Sequence, residues 1–253
     1  MADQELSIVT RSIAKSSTIA TIGKSWGSVG QTGAASFELP IPLSAGRGYA
    51  PQMSLGYSSQ DGNGPFGFGW SLGVSQISRR TDKGVPRYTE HDEIVGADGE
   101  VWMPELEADR SIKSRLESTY DGVVIGPHNV VRYWPKVESD FALHELWQPT
   151  TGQAPFWLVH GSDGSLLIYG KTPASRRASA GPDNPLRISA WLLCESMNPH
   201  GEHIAYVYKA DDQSPDSVID YGIQRYLERV CYGNFTASKD LYAWTVENLA
   251  DLD

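Results

Sequence analysis

The sequence predicts an all-β protein: an extended antiparallel sheet of hairpins. Three observations predict it. Apolar and polar residues alternate with period two over many short runs. Turn-forming residues separate those runs, with 25 Gly and 15 Pro in 253 residues. The aromatic residues, 8 Trp and 12 Tyr among them, lie inside the runs, where their side chains fit a pleated, half-buried surface.

Residues 1–34 are small, polar and rich in Gly, Ser and Thr, and are read as a loosely ordered leader. The pattern changes at Ala35. Ser36 to Leu43 alternates, but Pro40 and Pro42 cannot donate to a ladder, so this is an edge or bulged strand. Gln52 to Tyr57 alternates again. Asp61-Gly62-Asn63-Gly64 is a turn, and Ser71 to Arg80 reads as one strand with Leu72, Val74 and Ile77 inward. Short strands are predicted at 85–89 and 93–104. Glu105 to Ile112 is the one helix candidate. Strands resume at 129–137, 141–147 and 155–160.

Two hairpins are better specified. Phe156–His160 and Ser165–Tyr169 flank Gly161-Ser162-Asp163-Gly164, whose Asp-Gly pair supplies a positive φ. Trp191–Met197 and His203–Lys209 flank Asn198-Pro199-His200-Gly201-Glu202. A weak repeat links these turns. Ala97 to Trp102, Asp163 to Tyr169 and His200 to Tyr206 each run from a Gly-ending turn into an apolar-aromatic strand.

Charge and cysteine content narrow the function classes. The net charge of −10 repels phosphate backbones and anionic lipid, so neither a nucleic-acid partner nor direct membrane insertion is expected. Arg79-Arg80 and Arg176-Arg177 are isolated pairs and make no basic patch. The two cysteines, Cys194 and Cys231, sit in apolar-aromatic contexts that suit buried free thiols, while the count alone leaves a single bridge open. The first residues lack a signal-peptide core, so secretion without a conventional leader, after synthesis in a reducing cytoplasm, is the expectation.

No motif passes as a chemical site. Gly62-Asn63-Gly64-Pro65-Phe66-Gly67 has the letters of a dinucleotide fingerprint, but that fingerprint must open a helix. Here alternating Gly and aromatic residues follow, which reads as a tight turn and a strand. His200 and His203 on a hairpin turn point in poorly matched directions for a metal. His91-Asp92-Glu93 reads as a solvated loop. Cys194 with His203 would make a nucleophile and base, but no third orienting group is evident. The expectation is no catalytic, cofactor-binding or metal residue, no cofactor, and no enzyme activity.

The run Phe37-Glu38-Leu39-Pro40-Ile41-Pro42-Leu43-Ser44-Ala45-Gly46-Arg47-Gly48-Tyr49-Ala50-Pro51 is followed by Leu55-Gly56-Tyr57-Ser58-Ser59, by Gly62 to Trp70, and by Ile77-Ser78-Arg79-Arg80-Thr81. It resembles the amino-terminal region shared by the Salmonella virulence-plasmid B protein (SpvB) and insecticidal toxin-complex B subunits. Later landmarks are Gly84 to Tyr88, Trp191 to Ser196, Gly201-Glu202-His203, and Arg225-Tyr226-Leu227 with Tyr232-Gly233-Asn234. The resemblance implies that residues 35–253 are an SpvB-like β region, incomplete at its C-terminal end, and the opening part of a larger β-shell. Such a shell would encapsulate a toxic enzyme and help deliver it. The implied partners are toxin-complex C and A subunits or the remaining shell segments. Family transferase chemistry lies in a separate domain, so no catalytic residue carries over. A sheet with unpaired edges also predicts poor behaviour as an isolated monomer. Two rival readings remain from the residues: a secreted adhesion or carbohydrate-binding module with exposed aromatics, and an enzyme with a cleft around Cys194 or the His200–His203 turn.

Overall fold

The computed structural model of the chain describes residues 33–179, 186–210 and 224–235. Most of the expected leader, residues 1–32, lies outside them. Just over half of the described residues lie in strands, with a single short helical turn among them, and every strand pairing is antiparallel. They fall into two compact units.

The smaller unit holds β1 (Ser36–Pro40), β2 (Ser54–Ser58), β3 (Asn63–Gly64), β4 (Gly67–Phe68) and β5 (Trp70–Leu72). The first, second and fifth form a sheet in the order β1-β2-β5. β1 is an edge, as its prolines require, and it stops at Pro40. Trp70 organises this sheet, with the rings of Tyr57 and Phe37 at 5.2 and 6.4 Å. Gly69 has φ of +77° and lies against the Ser58 carbonyl and the Tyr57 ring, where a Cβ would not fit.

The larger unit holds β6 (Gln76–Arg79), β7 (Ile94–Val95), β8 (Val101–Pro104), β9 (Ser114–Tyr120), β10 (Val123–Pro135) and β11 (Leu143–Pro149). It continues with β12 (Phe156–His160), β13 (Leu166–Tyr169), β14 (Arg176–Ser179), β15 (Arg187–Met197), β16 (Glu202–Ala210) and β17 (Arg225–Phe235). The order β13-β12-β11-β10-β8-β7-β6-β15 closes on itself, because β15 also pairs with β13. The result is an eight-stranded barrel.

Closure depends on the length of β15. One of its edges pairs first with β6, through Trp191 opposite Ile77, and then with β16, through Ser196 opposite Ile204. The other edge pairs with β14 and then with β13. A bulge at Cys194 separates the β13 register at Leu193 from that at Glu195.

Alternation then sorts the side chains into two cores. Ile77, Ile94, Trp102, Tyr133, Trp157, Val159, Tyr169, Trp191 and Leu193 form one cluster, which fills the barrel interior. Val130, Trp147, Phe156, Leu158, Leu166, Ile168, Cys194 and Met197 form a second, on the opposite face of the same strands. β12 shows why: Trp157 and Val159 belong to the first cluster, Phe156 and Leu158 to the second, so the strand reads as an unbroken apolar run. The interior is closely packed. Trp157 is fully buried, with the rings of Tyr133, Trp102 and Trp191 at 4.8, 5.5 and 5.9 Å. Burying one such indole, about 200 Å², contributes on the order of 5 kcal/mol of hydrophobic driving force.

Several local expectations are corrected. Ser71–Arg80 is two strands, β5 and β6, divided at Gly73–Ser75 and assigned to different sheets. Of its expected inward residues, only Ile77 is buried. Residues 85–89 form no strand; Asp92 instead accepts the backbone amides of Arg87, Tyr88 and Thr89 and holds them as a loop. Glu105–Ile112 is not helical. Leu106 bridges Ile112 across a hairpin turn, because Asp109 accepts the Ser111 amide and stabilises the reversal. The described helical turn is 3-10, at Pro173–Ser175, with Thr172 as a capping-box residue and Pro at its start.

The repeat acquires a physical form. In three turns the amide of Gly96, Gly161 or Asn198 donates to the carbonyl four residues on, at 2.8, 2.8 and 3.0 Å. Gly99, Gly164 and Gly201 then take φ of +83°, +80° and +87°. This is a turn followed by a left-handed residue, a common three-residue hairpin connection.

Candidate functional site

The residues weighed as chemical candidates are dispersed over the structure. Asn63–Gly64 and Gly67–Phe68 of the glycine run pair with each other as β3 and β4, and strand β5 follows. Gly64 lies against the Trp70 carbonyl, so the glycines serve close backbone approach. His200 is exposed at its turn, whereas His203 is 5% exposed on β16, opposite Met197. Burial lowers the His203 pKa from its ordinary value. Among the described residues no group of three or more His, Cys, Asp or Glu side chains is arranged to hold a metal ion.

Cys194 and Cys231 are both free thiols. Cys194 sits at the β15 bulge and donates to the Ile168 carbonyl at 3.2 Å. Burial pushes its pKa up to about 11, which keeps it a protonated thiol at neutral pH. Arg79 bridges Asp92, at 3.0 Å, and the Ile188 carbonyl, at 2.9 Å, so it ties the loop before β7 to β15. Arg80 is held by Asp82 and Glu93. Within His91-Asp92-Glu93, the last two are therefore structural anchors and His91 is exposed. Arg176 and Arg177 lie on β14 against β15.

Sequence reasoning missed the charged groups of the outer core. Glu145 is 4% exposed and accepts from Arg115 at 2.6 Å and from the Trp147 indole at 3.1 Å. Glu195 is also 4% exposed, and its Oε1 has no hydrogen-bond partner among the described residues. Burial raises its pKa to about 8. Lys171 stands over the Phe156 ring at 3.9 Å, and burial lowers its pKa to about 8. The only sequence signal was position: Glu195 follows Trp-Leu-Leu-Cys in a strand with no polar alternation.

Three strands of the larger unit pair on one side only among the described residues. They are β9, β14 and β17. β17 offers the longest such edge, Arg225–Phe235. Unpaired amides and carbonyls along an edge are ready to take a further strand.

These features define a class: an all-β module with a filled barrel, whose unpaired edges suit continuation into further sheet. The chain belongs to the family described as Salmonella virulence plasmid 65kDa B protein, SpvB, whose profile matches residues 29–252. It is 41% identical over 230 residues to the mono(ADP-ribosyl)transferase SpvB of Salmonella typhimurium, covering 88% of this chain and 39% of that protein. The Salmonella choleraesuis protein of the same name is 40% identical with the same coverage. The chain therefore spans about two fifths of these relatives. Among solved structures, the N-terminal domain of effector protein SpvB from Salmonella typhimurium strain LT2 matches with a TM-score of 0.73 at 40% identity, covering 83% of this chain and 67% of that one. A chain of the TcdB2-TccC3 crystal structure matches with a TM-score of 0.75 at 40% identity, covering 86% of this chain and 10% of that one. The Photorhabdus luminescens Tc holotoxin pore gives 0.72 at 41% identity, covering 81% and 10%.

Proposed function

We propose that this chain is a structural component of a bacterial toxin complex, forming part of a β-shell that encapsulates and helps deliver a toxic enzyme. The observation that carries the reading is the match to a tenth of a toxin-complex chain, at a TM-score of 0.75. The barrel interior supports a wall rather than a container, because Trp102, Trp157, Trp191 and Tyr169 fill it and leave no room for a protein cargo. An enclosure would need further sheet, and the edges of β9, β14 and β17 are where more strands can add. Toxin-complex C and A subunits, or further shell segments, are the partners on this reading, and the chain acts outside the cell that makes it. It is not itself an enzyme: the inert environment of Cys194 and its separation in role from His203 support that view.

The tryptophans of the larger unit favour this reading over an adhesive face. Trp102, Trp147, Trp157 and Trp191 are buried, and Arg132 covers the exposed Trp134 ring at 3.9 Å. The test is co-expression with a C-type toxin-complex subunit and the remaining segments of a B-type shell. The expected result is a stoichiometric complex in which the C-subunit passenger resists protease. Separate elution with a protease-sensitive passenger would overturn the proposal. Incubation with NAD is expected to give no ADP-ribosyl transfer, and turnover would overturn the non-enzymatic assignment.

A further inference from the structure

A fourth turn follows the same pattern as the three in the repeat. Glu107 N–H donates to the Ser111 carbonyl at 2.9 Å, and Asp109 accepts from the Ser111 amide at 3.0 Å. The other three turns place glycine at the left-handed position. This one places Arg110 there, with φ of +69°. A side chain in that region costs on the order of 1 kcal/mol. Glycine would serve the backbone better, so the reason for arginine lies in what its side chain meets.

Arg110 lines a cavity of about 700 Å³ beside β7 and β8. Its apolar lining includes Trp102, Met103, Leu106 and Ile112, and Met103 and Leu106 are 53% and 52% exposed. The charges around it are of two kinds. Arg80 and Lys83 are neutralised by Glu93, at 2.7 and 3.0 Å, and Asp92 by Arg79. Arg110 and Lys136 form no ion pair among the described residues. Two unpaired cations therefore stand beside exposed aliphatic surface on a chain whose net charge is −10.

We propose that this cavity docks an acidic-aliphatic peptide segment of a partner polypeptide. Arg110 and Lys136 take its carboxylates, and Met103 and Leu106 take an aliphatic side chain between them. A guanidinium matches a carboxylate by paired hydrogen bonds, and desolvated apolar contact supplies the remaining affinity. Nucleic acid fits poorly, because two cations, Arg110 and Lys136, cannot match a continuous line of phosphates on a chain of net charge −10. The inference does not rest on the shell reading: either can fail while the other stands.

The test uses the full chain and a labelled hexapeptide alternating leucine and aspartate. Binding is expected to weaken as salt rises, and to weaken about tenfold for Arg110→Gly and for Lys136→Gln. Arg110→Gly relieves the turn, so its thermal midpoint is expected to rise, and lost binding then cannot be lost folding. Met103→Ser, at an exposed position, is expected to weaken binding with the fold intact. A leucine-lysine peptide binding equally well would overturn the proposal, as would unchanged affinity in both charge variants. Displacement of the peptide by inorganic phosphate at equal concentration would reduce the site to one for small anions and also overturn it.

Discussion

The inner and outer faces of the barrel come from the same strands and hold different chemistry. The inner face of β8, β12 and β15 presents Trp102, Trp157 and Trp191, closed by Tyr133 and Tyr169. The outer face of neighbouring positions buries Glu145, which the exposed Arg115 reaches, and Glu195, whose Oε1 has no hydrogen-bond partner among the described residues, and it sets the half-buried Lys171 over Phe156. The inner core answers to shape, because its rings meet edge to face at close range. The outer core answers to charge and pH. One residue of register separates the two regimes, so a strand can satisfy a packing requirement and an electrostatic one at once.

The comparison breaks most severely at its centre. Trp157→Ala is expected to cost about 3–5 kcal/mol, because it empties the middle of the inner cluster. Urea denaturation followed by tryptophan fluorescence measures it, and a loss under about 1 kcal/mol would mean the interior repacks freely.

The outer face is tested by Glu195→Gln. The Glu195 pKa lies at about 8 in the folded chain, above its ordinary value of 4.5, because of burial. Between those values the folded state binds more protons than the unfolded, so stability falls as pH rises through the window and levels off above it. Glutamine removes that loss. It is expected to stabilise by on the order of 3 kcal/mol at pH 7 and by almost nothing at pH 4. Equal gains at both values would show that packing, not charge, governs the site. Lys171, lowered to about 8 from 10.5, acts in the opposite sense, adding stability as pH rises from about 8 toward 10.5.

A smaller effect tests the rim of the inner core. Gly170 has φ of +69° and lies against the Trp191 indole, so Gly170→Ala is expected to cost about 1–3 kcal/mol through strain and overlap. The smallest test leaves stability untouched. A thiol reagent is expected to label Cys231 in the native chain, while Cys194 reacts only as the barrel unfolds. Rapid native labelling of Cys194 would reopen the nucleophile reading.

Much of this was legible where local signals act alone. Phe156–His160, its Asp-Gly turn and Leu166–Tyr169 are a hairpin of strictly local pairing, and the structure forms it, with His160 opposite Leu166. Barrel closure was not legible, because it rests on Trp191 meeting Ile77, a pairing no nearby residue announces. The expected helix at 105–112 failed for a local reason: Arg110 hides a turn that the other copies advertise with glycine. The buried carboxylate of Glu195 was invisible because a charged letter ordinarily signals solvent. Expected trouble as an isolated monomer also narrows. In the larger unit, ring closure leaves the open edges of β9, β14 and β17, each paired on one side only among the described residues, as the places for self-association.

The long strand that closes the barrel has a consequence for synthesis. Arg79 on β6 bonds to the carbonyl of Ile188, 109 residues later in the chain. At roughly 5–20 residues per second, β6 waits on the order of 5–20 s after leaving the ribosome for the neighbour that covers it. During translation the nascent barrel is an open sheet with Ile77 and Ile94 unsheltered. Slow codons or a bound chaperone in that interval would govern how much closed barrel each ribosome yields.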